Sequence, residues 1–126
     1  MQFVHVATRT SDLERAVRFY ELLGMRVERR KELEKGRATL VFLAPPEGNF
    51  SIELVYNWGK DEPYAGGERF GHFAFEVEGL DELFPRLVQA GAESVRPPYL
   101  LEGTGPKIAF IADPDGYQIE VLQRGG

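Results

Sequence analysis

Only two histidines occur in this 126-residue chain, His5 and His72, and they lie 67 residues apart (72 − 5). Glu53 and Glu120 obey the same offset (120 − 53), so His5 to Glu53 and His72 to Glu120 each span 48 residues. Two imidazoles and two carboxylates are a donor set that suits a divalent transition metal, with positions left for water or substrate oxygens. Taken singly, each residue has a plainer reading. A strand histidine is more often a hydrogen-bonded, semi-buried side chain, and a glutamate flanked by Ile and Leu often sits on a solvent face. The common offset favours the joint reading, because the chain has no other histidine to place. Cysteine is absent, which removes thiolate zinc sites, iron–sulfur clusters, thiol nucleophiles and disulfides together.

Elements that could position these four residues follow from the same offset. Ala7 falls on Ala74, Leu13 on Leu80, Gly24 on Gly91, and Ile52-Glu53-Leu54-Val55 on Ile119-Glu120-Val121-Leu122. A fixed period of this kind marks an internal repeat. We read two copies of one unit, 1–58 and 68–126, joined by a polar, Gly-rich linker at 59–67.

In the first copy, Phe3 to Thr8 reads as a strand. Ser11-Asp12-Leu13-Glu14 is a capping-box pattern that opens a helix with apolar residues at Leu13, Ala16, Val17, Tyr20 and Leu23. Gly24 sits where a left-handed cap belongs. Met25–Arg30, Ala38–Leu43 and Phe50–Tyr56 read as strands, with a solvated hairpin at Glu32–Arg37 and a turn at Pro45–Asn49. The second copy reads as a strand from His72 to Glu78, a helix from Leu83 to Ala90 and a cap at Gly91. Two more strands follow, Ile108–Ala112 and Tyr117–Leu122, joined by Asp113-Pro114-Asp115-Gly116. Pro85 is tolerable if that helix starts near Asp81, since first-turn amides lack partners, and the Pro- and Gly-rich stretch Arg96–Gly105 receives no structure.

The expectation is an α+β fold of two βαβββ repeats, forming curled sheets that enclose a metal cavity. Strand alternation places Arg9 on the face of His5 and Gln118 on the face of Glu120. The phenylalanines Phe3, Phe42, Phe70, Phe73, Phe75, Phe84 and Phe110 read mainly as core, with some lining the cavity. Trp58 closes one end of the sheet or covers a ligand. Net charge of −5 argues against a nucleic-acid partner. No apolar run approaches the roughly 20 residues of a membrane helix, and the N-terminus lacks an apolar signal segment. We therefore expect no membrane partner and a cytoplasmic location.

The chain resembles the vicinal oxygen chelate superfamily and, within it, the compact bacterial glyoxalase I (lactoylglutathione lyase) family. The residues that carry the resemblance are His5 with Arg9, Asp12 to Tyr20, Leu23-Gly24-Met25, Ile52 to Gly59, Gly71 to Ala74 and Ile108 to Glu120. Asp-Pro-Asp-Gly-Tyr is common across the superfamily, whereas Tyr56-Asn57-Trp58-Gly59 after a ligand glutamate is more specific. The resemblance implies metal ligation by His5, Glu53, His72 and Glu120, with nickel or cobalt favoured and zinc or manganese also acceptable. It implies glutathione as co-substrate, held by Arg9, Asn57 and Lys107, the last about one residue from the family's usual lysine. It also implies a homodimer whose two sites form between chains.

The implied reaction is that of a carbon–sulfur lyase. The hemithioacetal of methylglyoxal and glutathione becomes S-lactoylglutathione through a cis-enediolate, with Glu120 as proton-removing base and Glu53 placed to return the proton. Rival readings are a metal-free ligand-sequestering protein of the antibiotic-resistance kind, a ring-cleaving dioxygenase and an acyl-thioester epimerase. The intact quartet argues against the first, and Glu53 against the other two.

Overall fold

The helical spacing that begins at Leu13 produces α1 (Leu13–Leu22), which follows a short strand, β1 (His5–Arg9). Three strands come next: β2 (Arg26–Leu33), β3 (Ala38–Ala44) and β4 (Ser51–Asn57). The second copy repeats the order with β5 (Phe73–Val77), α2 (Leu80–Gln89), β6 (Glu93–Leu100), β7 (Lys107–Ala112) and β8 (Gln118–Gln123). This computed structural model describes residues 1–123. The chain packs as two units, one from Met1 to Ala65 and one from Gly66 onward.

Each unit is one open four-stranded sheet with one helix against a single face, as the two βαβββ repeats require. In the first the strand order is β1-β4-β3-β2, and in the second it is β5-β8-β7-β6. The first strand of each unit pairs with the last in parallel, and the remaining pairs are antiparallel. Val41, Leu43, Ile52 and Leu54 are buried beneath α1 together with Ala16, Phe19 and Tyr20. Ile111, Ile119 and Val121 form the matching layer with Leu80 and Leu87 of α2. Because strand side chains alternate, burying this set leaves His5, Glu53 and Glu120 on the faces away from the helices. His72, which lies just before β5 and not within the expected strand, reaches Glu120 on that face.

Both helices end alike. The Gly24 amide donates to the Glu21 carbonyl (2.9 Å) and the Met25 amide to Tyr20 (3.1 Å), the paired bonds of a Schellman motif. Gly91 and Ala92 donate to Val88 and Leu87 in the same way. Gly24 and Gly91 have φ of 98° and 113°, which suits a residue without Cβ.

Several boundaries differ from expectation. β1 begins at His5 because its ladder on β4 starts at the His5–Ser51 pair, which leaves Phe3 outside it. The α1 cap is Asp12, not Ser11. The Asp12 carboxylate accepts from the Arg15 amide at 3.1 Å, and the Thr10 hydroxyl accepts from the Asp12 amide. Helix α2 starts at Leu80, three residues before the expected Leu83. Pro85 therefore lies in its interior, past the first amides that lack helical partners, since Leu83 already donates to the Gly79 carbonyl. The first half of the stretch given no structure, residues 96–100, belongs to β6, and Leu101–Gly103 form a short 3-10 turn. Pro97 and Pro98 are tolerated because β6 is an edge strand whose ladder on β7 is broken around Arg96.

Candidate active site

In the first unit, parallel pairing sets Ala7 beside Glu53, so His5 and Glu53 share a face two residues apart in register. The His5 Nε2 lies 3.2 Å from a Glu53 carboxylate oxygen, with side chains 39% and 15% exposed. Phe42 is the cross-strand partner of Glu53 and presents its ring edge-to-face to the His5 ring at 5.7 Å. The Arg29 guanidinium lies over the Phe42 ring at 4.1 Å.

The second unit repeats this constellation. His72 Nε2 is 3.2 Å from Glu120 Oε1, with side chains 40% and 21% exposed. Phe110 pairs across the ladder with Glu120 and meets the His72 ring at 5.5 Å and 85°. Phe42 and Phe110 are 68 residues apart (110 − 42), one more than the repeat offset. The third strand has slipped by one residue, and the shorter Asp113–Gly116 turn restores the offset before Glu120. That turn is held by Asp113, whose carboxylate accepts from the Asp115 and Tyr117 amides.

The donor geometry fits a metal. Two donor atoms each about 2.1 Å from one ion, at angles between octahedral and tetrahedral, stand about 3.0–3.4 Å apart. The nitrogen–oxygen separation of 3.2 Å in both pairs falls in that interval. The His72–Glu120 pair is also a hydrogen bond by itself, and His5–Glu53 lies at ion-pair distance. Among the described residues no group of three or more His, Cys, Asp or Glu side chains is gathered to hold an ion. Each unit thus presents two donors of the expected four.

The other expected contacts fall in different places. Arg9 is exposed at the end of β1, on the His5 face and opposite Val55. Asn57 ends β4 on the same face, and its Nδ2 donates to the Tyr64 hydroxyl at 2.8 Å. Gln118 opens β8, two residues before Glu120. Lys107 sits elsewhere. It pairs with Gln123 across the ladder, on the α2 side of the sheet, and its ammonium is 2.6 Å from the Asp81 carboxylate.

Trp58 turns back towards β3, where its indole N–H donates to the Thr39 hydroxyl at 2.9 Å. It helps line a cavity of about 590 Å³ with Ser11, Asp12, Arg15, Arg30 and Tyr56. None of the residues on the His5–Glu53 face line it, and several of its polar groups pair locally. Hydrogen bonds from Thr39 and Arg30 hold the Glu32 carboxyl below its usual pKa. Donation to Asp61 raises the Tyr56 hydroxyl above its usual value.

Some of the aromatic assignments need correction. Phe3 and Phe70 are not core, being 71% and 50% exposed. Each instead meets a second ring at the start of its unit's last strand, Phe3 with Phe50 and Phe70 with Tyr117. Phe42 and Phe110 prove to be the rings beside the histidines, a role that only the strand registers reveal. Tyr64 was missed altogether, since nothing in a polar loop marks its hydroxyl as the partner of Asn57.

Comparison with known proteins places these features in context. Residues 2–121 match the Glyoxalase/Bleomycin resistance protein/Dioxygenase superfamily. A lactoylglutathione lyase of Haemophilus influenzae is 37% identical over 98% of this chain and 93% of its own length. A lactoylglutathione lyase of Arabidopsis thaliana is 38% identical, but the chain spans only 44% of that longer relative. Among solved structures, glyoxalase I from Zea mays superposes with a TM-score of 0.87 at 35% identity, covering 99% of this chain and 45% of that one. A trypanothione-dependent glyoxalase I of Leishmania major gives 0.82 at 35% identity, covering 98% and 86%.

Proposed function

From the premise that the chain belongs to the glyoxalase/bleomycin resistance protein/dioxygenase superfamily, and within it to the lactoylglutathione lyase family, we propose that it isomerises the methylglyoxal–glutathione hemithioacetal to S-lactoylglutathione. One observation carries this reading: both units hold the same His–Glu pair at the same 3.2 Å separation. We assign His5, Glu53, His72 and Glu120 to one divalent metal, nickel or cobalt by family resemblance, with zinc and manganese as further candidates. In this reading a homodimer supplies the two pairs of each site, one unit from either chain, and the protein works in the cytoplasm. No helix among the described residues is long and apolar enough to cross a membrane.

The chemistry asks two things of the protein. The carbon-bound proton next to sulfur is weakly acidic, so charge on the vicinal oxygens must be stabilised as the proton leaves. The bound metal supplies that stabilisation as a Lewis acid. The second requirement is a base that takes a proton from one carbon and an acid that returns one to its neighbour. Glu120 takes the proton from the sulfur-bearing carbon, and its C–H electron pair moves into the enediolate. Glu53 serves the return at the adjacent carbon, or Glu120 itself redelivers the proton. Either route also passes the hydroxyl proton from the oxygen on the sulfur-bearing carbon to the neighbouring oxygen, so that the first becomes the thioester carbonyl and the second the hydroxyl, and all atoms and electrons are conserved. Carboxylates suit the task because burial and neighbouring charge tune their basicity towards working pH.

Arg9 and Asn57 lie beyond the metal pair on the same sheet face, where a cation and an amide can hold the carboxylate and peptide groups of glutathione. Lys107 is left out of this assignment, since its ammonium already serves Asp81 behind the sheet.

The test is thioester absorbance with metal-stripped protein titrated by nickel, cobalt, manganese and zinc in turn. Metal-dependent formation of the thioester is the expected outcome. No turnover with any metal or thiol would instead favour a ligand-sequestering member of the superfamily.

A further inference from the structure

Residues 56 and 57 are neighbours on β4, so their side chains point to opposite faces of the sheet. Each reaches forward to the loop that follows. On the α1 side the Tyr56 hydroxyl donates to the Asp61 carboxylate at 2.8 Å. On the His5 side the Asn57 amide donates to the Tyr64 hydroxyl at 2.8 Å. The Lys60 amide also donates to the Asn57 carbonyl at 3.0 Å, and the Lys60 ammonium lies 5.0 Å from the centre of the Tyr64 ring. The loop is therefore strapped to the strand from both faces, and Tyr64 is held half-buried over the end of the His5 face.

The consequence falls on Asn57. A terminal asparagine at a strand end has several rotamers of similar energy, and ordering it on ligand binding costs free energy. The Tyr64 hydroxyl selects one rotamer before any ligand arrives. It engages Nδ2, so the Oδ1 of the same amide keeps its capacity to accept an N–H from a ligand bound on this face. An amide acceptor beside a guanidinium complements a peptide that ends in a carboxylate. It offers nothing to a simple alkyl thiol.

We propose that Tyr64 is a positioning residue that orders Asn57 and so makes the His5 face selective for peptide thiols. For its ligand this rests on the glutathione reading above. Tyr64 touches neither the reacting carbons nor the metal pair, so its effect belongs in binding and not in the chemical step.

The test measures binding of S-methylglutathione by calorimetry to the wild type, Tyr64→Phe, Asn57→Ala and the double variant. Kinetics on the same metal-loaded proteins run beside it. Loss of one positioning hydrogen bond predicts about fivefold weaker binding for Tyr64→Phe. The KM for the glutathione hemithioacetal should rise by a similar factor, with kcat within about twofold. The double variant should bind no more weakly than Asn57→Ala alone, because Tyr64 acts through Asn57. With the hemithioacetal of a simple alkyl thiol, Tyr64→Phe should match the wild type.

Unchanged binding by Tyr64→Phe overturns the proposal. So does an equal loss in the Asn57→Ala background, or a wild type that fails to bind the thioether. A wild type that binds the thioether and shows the coupling, yet turns nothing over, removes the isomerase reading and leaves this one standing. Normal turnover with no effect of Tyr64→Phe does the reverse.

Discussion

The two units build the same helix by different means. Asp12 and Gly79 occupy equivalent positions (79 − 12 = 67), and each is the N-cap of a ten-residue helix. Asp12 caps α1 locally, through its own carboxylate and an extended backbone held by Thr10. Gly79 has no side chain and sits at φ 62°, so α2 takes its cap from elsewhere. The Gln123 side chain of β8 accepts from the Leu80 amide at 2.8 Å, across 43 residues, and Lys107 of β7 pairs with Asp81 in the first turn. The side-chain partner of a first-turn amide is thus a neighbour in sequence for Arg15 in one unit and a neighbour in space for Leu80 in the other.

A second contrast lies on the opposite faces. The His–Glu–Phe constellation is duplicated, but its surroundings are not. The first unit carries Arg9, Asn57 and Tyr64 beside its pair, whereas the position equivalent to Arg9 in the second unit is Glu76 (9 + 67). Both copies keep the proposed metal donors, whereas the proposed peptide contacts belong to one copy.

The proposed catalytic asymmetry is open to the largest effect. Glu120→Gln should lower turnover by about a thousandfold while the protein stays folded, because the proposed general base is lost. Glu53→Gln should cost markedly less. Thioester absorbance and far-UV circular dichroism read both, and equal losses would show that the two copies share the proton transfer evenly.

Symmetry of the cores is the next comparison. Ile52 and Ile119 are equivalent and fully buried. Ile52→Ala and Ile119→Ala should each destabilise by about 2–5 kcal/mol in urea unfolding. A difference beyond about 1.5 kcal/mol would break the equivalence of the two layers.

The smallest effects concern the caps. Asp12→Ala should cost about 1 kcal/mol, and Gln123→Ala a similar amount, although only the first is visible locally. Gly79→Asp should restore nothing to Gln123→Ala, since a left-handed backbone aims the new carboxylate away from the cap position and adds strain. Thermal unfolding of the four proteins checks the set. Rescue by Gly79→Asp would mean that α2 accepts a local cap after all.

These cases also show where reading the sequence succeeded. The repeat offset, the Schellman glycines, the α1 stripe and the Asp-Pro-Asp-Gly turn were legible because each depends on residues within a few positions. The alternation that puts Arg9 with His5 was legible for the same reason. The start of α2 was missed because its cap is tertiary. Strand β6 was missed because Pro97 and Pro98 oppose a strand unless it lies at an edge, and edge position is a property of the assembled sheet. Lys107 was placed near the substrate by its position along the chain, whereas the parity of β7 turns it to the other side.

By itself the sequence determined which residues could do chemistry. With two histidines, no cysteine and one offset linking His5, Glu53, His72 and Glu120, composition and spacing point to one candidate donor set. It also determined the order of elements apart from β6, because hydrophobic period and turn residues are local properties. Tertiary structure alone decided which aromatic rings flank each histidine, which helix borrows its cap and which hydroxyl accepts from Asn57. Those depend on strand register and on contacts between residues far apart in the chain, where a shift of one residue turns a side chain to the opposite face.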